Sequence, residues 1–305
     1  MVSVCGHEVI VANPRKLRLI YESDKKTDRV DAEALARVAR MDPKLLHPIH
    51  HRGEVAQADL SVLRVREVLV SARTKLVNSV RGMLKSFGKR VRKCATGAFA
   101  KEAPEAVPVE LKPAIDPMLE MIQSLSEKIA AYDKSVEAVA QARYPETKLL
   151  RQVPGVGPVT ALTYVLTLED PGRFRNSRSV GAFLGLTSRQ AQSGKQDPQL
   201  RITKAGDVTV RRLLVSCAQY ILGLFGPDTD LRRWGLELAK RGAKNQKKRA
   251  LVAVARKLAV LLHRLWVSKE DYDPLRNSRR RDARRKSETA DNKTATASMK
   301  EKVQG

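Results

Sequence analysis

Asp28 and Asp31 stand three residues apart in Lys26-Thr27-Asp28-Arg29-Val30-Asp31-Ala32, a stretch whose pattern opens a helix with Thr27 or Asp28 as its N-cap. On a helix that spacing projects both carboxylates from one face. Two carboxylates so placed can share a Mg²⁺, a hard ion that prefers oxygen ligands and assists phosphoryl transfer. The plainer reading is that acids in a first helical turn complement the positive end of the helix dipole. Ser193 offers a second chemistry. It lies in a polar, glycine-containing loop, 185–198, with Arg189 and Lys195 close in sequence. Those cations can stabilise the charge that develops when a hydroxyl attacks a phosphodiester, though loop serines often serve only the turn. The five histidines (His7, His47, His50, His51 and His263) show no metal-ligand spacing. No Walker loop, dinucleotide fingerprint or nucleophile elbow is present.

A third motif is Pro154-Gly155-Val156-Gly157-Pro158, preceded by Leu149, Leu150 and Val153 and followed by an apolar run, 159–168. Helix, Gly-x-Gly turn and helix make a helix-hairpin-helix. The hairpin's glycines, Gly155 and Gly157, let backbone N–H groups approach a phosphate, and the following helix adds its positive N-terminus. Such a contact is independent of base sequence and suits duplex DNA; the competing reading is an ordinary glycine turn.

The composition supports a polyanionic partner. The 305 residues carry 58 Lys plus Arg against 33 Asp plus Glu, a formal net charge of +25, and each neutralised phosphate releases a condensed counterion. With 42% apolar residues the chain can build cores, which excludes a disordered polyelectrolyte. Two Trp, six Tyr and five Phe are too few for an aromatic platform of stacked bases to be the main binding mode. No apolar run approaches a membrane span and no signal peptide is evident, so a cytoplasmic protein with no membrane partner is expected. Three scattered cysteines, Cys5, Cys94 and Cys217, form neither a disulfide framework nor a zinc finger.

The elements that must position these groups are mostly helical. Residues 7–14 read as a short strand stopped by Asn13-Pro14, followed by the helix carrying Asp28 and Asp31; one strand and one helix look like the end of an α/β domain. A long helix over about 54–93 repeats Leu63, Val70, Val77, Leu84 and Val91 every seven residues. Between Leu60 and Lys93 it bears ten Lys/Arg, among them Arg81, Lys85 and Lys89, and one acid, Glu67. After a break, Ile115, Met118, Ile122, Leu125, Ile129, Tyr132, Val136 and Val139 alternate three and four apart. The pair predicts a coiled-coil helical hairpin that also mediates self-association, with two ordinary bundle helices as the alternative. Further on, a short helix is predicted at 179–184. Arg201-Ile202-Thr203-Lys204-Ala205-Gly206 then leads to a helix from Thr209 bearing Arg211 and Arg212, and a last helix runs to about Trp266. Lys204, Arg211 and Arg212 join Arg189 and Lys195 as nucleic-acid-binding candidates, and the Arg-rich tail is expected to be disordered.

In these motifs the chain resembles the insertion-sequence-110 family of DEDD transposases, described as bridge-RNA-guided recombinases and related to the Piv-type invertases. The resemblance rests on Val11-Ala12-Asn13-Pro14, Lys26-Thr27-Asp28-Arg29-Val30-Asp31-Ala32 and Pro154-Gly155-Val156-Gly157-Pro158. It continues through Phe183-Leu184-Gly185-Leu186-Thr187-Ser188-Arg189-Gln190, Gln192-Ser193-Gly194 and Thr203-Lys204-Ala205-Gly206, all in family order. Thr203 stands where the family usually has serine. The resemblance implies a mainly α chain with a remnant of an RNase H/RuvC-like α/β domain, a coiled-coil hairpin and an α-helical transposase domain with a helix-hairpin-helix. The corresponding boundaries are 1–50 for a partial RuvC-like domain, 51–145 for the hairpin, 146–275 for the transposase domain and 276–305 for a disordered basic tail. Family members carry about half a domain ahead of the Ala-Asn-Pro motif, so the first half of the RuvC-like domain is expected to be missing here. The resemblance further implies that Asp28 and Asp31 are the last two acids of a Mg²⁺-binding tetrad and Ser193 the nucleophile. It implies a homo-oligomer, dimer or tetramer, working on duplex DNA with a structured guide RNA. The alternative is a catalytically inactive, truncated relative that still binds DNA and RNA.

Overall fold

The computed structural model describes residues 9–14, 16–17, 27–46, 48–49, 52–194, 196, 198, 200–242 and 245–282. They are mainly helical, with no named strand among them and two isolated bridges. The chain divides into two compact units, Met1–Val55 and Ala56–Gly305.

In the first unit Thr27 caps α1 (Asp28–Met41), its Oγ1 accepting from the Val30 amide at 3.3 Å. Asp28 and Asp31 occupy the first turn and Arg40 the last, each suited to the dipole there. Leu35, Val38 and Ala39 pack one face of α1 on Leu17, Leu46 and Ala12. The strand expected over 7–14 is not seen in its described part. Residues 9–14 are held instead by Asn13 N–H to the Leu46 carbonyl (3.1 Å) and Ile49 N–H to the Val11 carbonyl (2.9 Å). Leu46 ends a 3₁₀ turn, so the partner segment offers no continuing ladder.

The second unit begins with an antiparallel helical pair, α2 (Glu54–Ser86) and α4 (Lys112–Arg143), joined through a one-turn helix α3 (Phe99–Glu102). Polar pairs fix the register: Arg143 with Asp59 (2.9 Å), Arg66 with Asp133 (2.5 Å) and Arg73 with Ser126 (3.2 Å). On α2 these positions step by seven, as the apolar repeat requires. At the far end Val77, Val80 and Leu84 meet Ile115, Leu119 and Ile122, with Phe99 buried among them. The heptad pattern overshoots the helix, because α2 stops at Ser86 rather than near Lys93. Gly88, at φ +71°, lets the Lys89 amide turn back to the Leu84 carbonyl, a left-handed glycine termination. Lys89 therefore sits in the connecting loop, from which Val91 packs back on the hairpin core.

The base of the hairpin packs on the helices that follow it. Leu60, Leu63, Val136 and Ala140 close on Leu162 and Leu166 of α6 (Pro158–Leu168). Beneath them Asp59, only 3% exposed, accepts from the Tyr144 hydroxyl at 2.8 Å as well as from Arg143. Burial, and then the hydrogen bond to Asp59, push the Tyr144 pKa up to about 12. After a single turn, α5 (Thr147–Leu150), and α6, the chain forms α7 (Arg178–Phe183), α8 (Val208–Leu222), α9 (Asp230–Ala239) and α10 (Gln246–Ser268). Val254, Ala255, Leu258, Ala259, Leu262 and Leu265 make α10 the central helix of this core. His263 is buried there, its two ring nitrogens each 3.0 Å from Ser177 Oγ and the Pro171 carbonyl, a satisfied core histidine. Residues 276–282, expected to begin a disordered tail, are helical. They are anchored on Asp230, which accepts from the Asn277 amide (2.6 Å) and from the Ser278 amide and hydroxyl.

Candidate active site and nucleic-acid interface

Ser193 is carried by a loop, 185–206, that leaves α7 and returns to α8. Its two arms pair: Arg189 N–H to the Arg201 carbonyl (2.9 Å), Thr203 N–H to Thr187 (2.9 Å) and Lys204 N–H to Gly185 (3.1 Å). At the tip Ser193 and Gln196 exchange backbone hydrogen bonds of 3.1 and 3.0 Å, with Gly194 at φ +56°. A tight turn therefore presents Ser193, exposed, at the end of a narrow ribbon. At the base, Gly185 (φ +67°) and Gly206 (φ +72°) let the arms cross without side chains. A Cβ on Gly185 would lie 2.2 Å from the Ala205 carbonyl oxygen, and one on Gly206 2.2 Å from that of Phe183. Lys204, between them, is held at φ +56° without glycine's freedom.

The base is locked from α8. Asp207 caps that helix, accepting from the Thr209 and Val210 amides at 2.8 and 3.0 Å. Arg211 in its first turn points back into the fold, donating to the Leu184 carbonyl (3.0 Å) and the Ala205 carbonyl (2.7 Å). At 9% exposure its guanidinium is taken up by the end of α7 and the returning arm of the serine loop. Arg212 turns outward and pairs with Glu67 of α2 at 2.5 Å, while the Thr209 hydroxyl donates to the other Glu67 oxygen at 2.9 Å. The single acid on the basic stretch of α2 thus docks the hairpin to the helix that carries the serine loop.

The other sequence candidates fall in different places. Arg189 and Lys204 are exposed, on opposite arms of the loop, and Lys195 lies outside the described residues. Arg81 and Lys85 are exposed on α2, with Arg81 over the Phe99 ring at 5.2 Å. In the glycine turn, Gly155 at φ +86° presses on α8: a Cβ there would lie 2.8 Å from the Tyr220 ring. Gly157 precedes α6 in extended conformation with open space at its Cβ position. The first helix of the expected helix-hairpin-helix is the single turn α5.

Asp28 and Asp31 belong to the first unit, Ser193 to the second. Asp28 is exposed; Asp31 is half-buried and its Oδ1 is inaccessible, with no hydrogen-bond partner among the described residues. An orphaned carboxylate oxygen beside a second carboxylate suits a hard divalent cation, whose coordination would satisfy it. No cluster of three or more metal-ligating side chains occurs among the described residues. The same residues contain no helix long and apolar enough to cross a membrane.

Residues 147–230 match the family described as "Transposase IS116/IS110/IS902 family", and residues 1–88 match a DEDD-type IS110 family described as "Transposase". The chain is similar to the transposase for insertion sequence element IS1111A of Coxiella burnetii, 33% identical over 83% of this chain and 70% of that protein. It is similar to a probable family 20 transposase of Pseudomonas aeruginosa, 31% identical over 88% of this chain and 80% of that protein. It also resembles the transposase for insertion sequence element IS1328 of Yersinia enterocolitica, 32% identical over 72% and 65% of the two chains.

Proposed function

The chain belongs to the IS116/IS110/IS902 family of insertion-sequence transposases, and from that premise we propose that it cuts and rejoins duplex DNA by phosphoryl transfer through Ser193. The observation that carries the assignment of Ser193 is its presentation: an exposed hydroxyl at the tip of a ribbon whose base is locked by Gly185, Gly206 and Arg211. A nucleophile must be accessible and yet held in place. Ser193 Oγ forms a bond to phosphorus as one bridging P–O bond breaks, the hydroxyl proton leaves Oγ, and the departing oxygen ends as a hydroxyl. The reverse step on another strand rejoins DNA and frees the serine. Arg189 and Lys204 stand on the loop's arms to counter charge on the phosphate oxygens.

Asp28 and Asp31 would hold a divalent cation, Mg²⁺ in this reading, which supplies Lewis-acid polarisation of the phosphate when bound. Supporting this is the buried oxygen of Asp31, which has no partner among the described residues. Gly155 and Gly157 would offer backbone N–H groups to a duplex phosphate. The exposed cations of the hairpin, Arg81 and Lys85 on α2 and Lys89 in the loop beyond it, would hold a structured RNA by its backbone. Assembly as a homo-oligomer is part of the same proposal.

The deciding experiment is trapping of a covalent protein–DNA adduct with the wild-type chain and with Ser193→Ala. The adduct should vanish in the variant while duplex binding persists. An unchanged adduct removes Ser193 from the nucleophile role. Binding by the wild type with no adduct at any divalent concentration leaves a protein that binds nucleic acid without cutting it.

A further inference from the structure

The loop between α8 and α9 presents an anomaly that the serine site does not use. Leu224 and Phe225 are the two most exposed large apolar side chains among the described residues, at 95% and 86%. They occupy the central positions of a β-turn closed by Gly226 N–H to the Gly223 carbonyl at 3.3 Å. Such positions ordinarily go to Gly, Pro, Asn, Asp or Ser, each for a conformational or hydrogen-bonding reason that neither leucine nor phenylalanine shares. Nothing in the turn calls for two bulky hydrocarbons held in water.

The turn is also rigidly mounted. Arg232 of α9 donates to the carbonyls of Ile221 and Gly223, tying the end of α8 to the turn itself. The backbone at Gly226 lies so close beneath that a Cβ there would fall 2.2 Å from the Ile221 carbonyl oxygen. The apolar pair is therefore a fixed projection. Its surroundings are narrow: Gly223, Gly226, Pro227 and Asp228 flank it, with the half-exposed Tyr220 below. A stable protein interface needs roughly 800 Å² on each partner, far more than a two-residue tip supplies. Tyr220 in turn packs on Gly155, so the apolar turn and the glycine turn adjoin at one end of the unit.

We propose that Leu224 and Phe225 form a wedge that inserts between base pairs of duplex DNA, beside the phosphate contact of the glycine turn. Apolar side chains on a rigid support do this where a protein unstacks and kinks a duplex, and the wedge is indifferent to base sequence. The proposal rests on the reading of this unit as DNA-binding. It adds to that reading a local distortion of the duplex, which would open the backbone to attack at a defined step.

The test uses the full chain with closed circular plasmid and topoisomerase I, scoring the change in linking number, alongside binding to a short linear duplex. Wild type should bind and unwind the plasmid. The double variant Leu224→Ala/Phe225→Ala, whose truncated side chains support no core, should lose most of the unwinding and about tenfold in duplex affinity. Phe225→Trp should retain both, and its added fluorescence should be quenched by the duplex. Equal unwinding by wild type and double variant overturns the wedge. So does duplex binding by the wild type without any unwinding, which leaves the DNA-binding reading intact. Failure of the wild type to bind duplex at all removes that reading and the wedge with it. A double variant that unwinds normally but sediments as a smaller species assigns the turn to contact with a second copy instead, and likewise overturns the proposal.

Discussion

Arg211 gives the sharpest test of how the serine loop is built, because its side chain has one of two incompatible jobs. The structure directs its guanidinium to the Leu184 and Ala205 carbonyls at 3.0 and 2.7 Å, one at the end of α7 and one on the returning arm of the loop. Hydrogen bonds from a charged donor contribute about 1.5–3 kcal/mol each, and buried carbonyls left without a donor lose that and more. Arg211→Ala should therefore cost about 3–5 kcal/mol, allowing for the guanidinium's own release into water. With a urea slope of about 1–3 kcal/mol/M, the unfolding midpoint should fall by about 1 M or more. Amide exchange should report the location: the N–H groups of Thr203 and Lys204, which close the base onto Thr187 and Gly185, should lose protection first. Arg211→Lys should recover part of the loss, its ammonium reaching one carbonyl but lacking the guanidinium's fork. Under this assignment the salt dependence of duplex binding by the folded variant is unchanged. A phosphate contact instead contributes about 0.9 to the slope of log affinity against log salt. Loss of that slope in Arg211→Ala, with the urea midpoint untouched, would refute the structural role.

Other predictions follow from the exposed and the buried charges. Arg189→Ala and Lys204→Gly should each lower the salt slope by about 1 without lowering stability; the glycine additionally relieves the left-handed backbone at position 204. An unchanged slope in both removes the loop arms from the DNA contact. Mg²⁺ at a hundredfold excess over its dissociation constant should stabilise the wild type by about 2.7 kcal/mol, measured as a rise in melting temperature that is absent in Asp28→Asn/Asp31→Asn. The same rise in the variant would take the ion elsewhere. Burial raises the Asp230 pKa, but hydrogen bonds from the Ser278 hydroxyl and the Asn277 and Ser278 amides outweigh it and hold the carboxyl below 3.8. Its anchoring of helix 276–282 is therefore fully present above pH 3.8 and lost as the pH falls through the lower folded value. Hydrogen exchange in that helix should show release at acid pH, and Asp230→Asn should abolish the pH dependence; release at the same pH in both would clear Asp230 of the role.

Much of the helical order was legible because its causes are local. Three- and four-residue apolar spacing marked α4 over almost its whole length, and Thr27 marked the start of α1 through a side chain that reaches only three residues. The heptads of α2 were equally plain, yet they ran on to Val91 across Gly88, where a left-handed glycine ends the helix. Periodicity records which residues meet the core, and Val91 does meet it, but from a loop. Helix α9 escaped notice although Leu231, Trp234 and Leu238 recur on one face of it: the stretch is only ten residues long and is interrupted by Gly235, its one fully buried residue. The role of Arg211 did have a sequence signal. Positions 211, 214, 218 and 221 lie on one helical face, and the last three are Leu, Ala and Ile. An arginine on that stripe is directed inward, whatever its charge suggests.

What the sequence determined by itself was the set of parts: a strongly basic chain, a helical pair with a seven-residue repeat, two acids on one helical face, and a serine in a glycine loop. These follow from neighbours a few residues apart, or from composition, which needs no fold at all. Tertiary structure decided their use. Arg211 and Arg212 are chemically identical and adjacent, yet one reaches carbonyls at the end of α7 and on the returning loop arm while the other pairs with Glu67. The partners of Arg211 are up to 27 residues away, and the Thr209 bond to Glu67 spans 142. Consecutive positions on a helix point about 100° apart, so whether a cation meets a carbonyl, a carboxylate or water depends on what the rest of the chain has packed there.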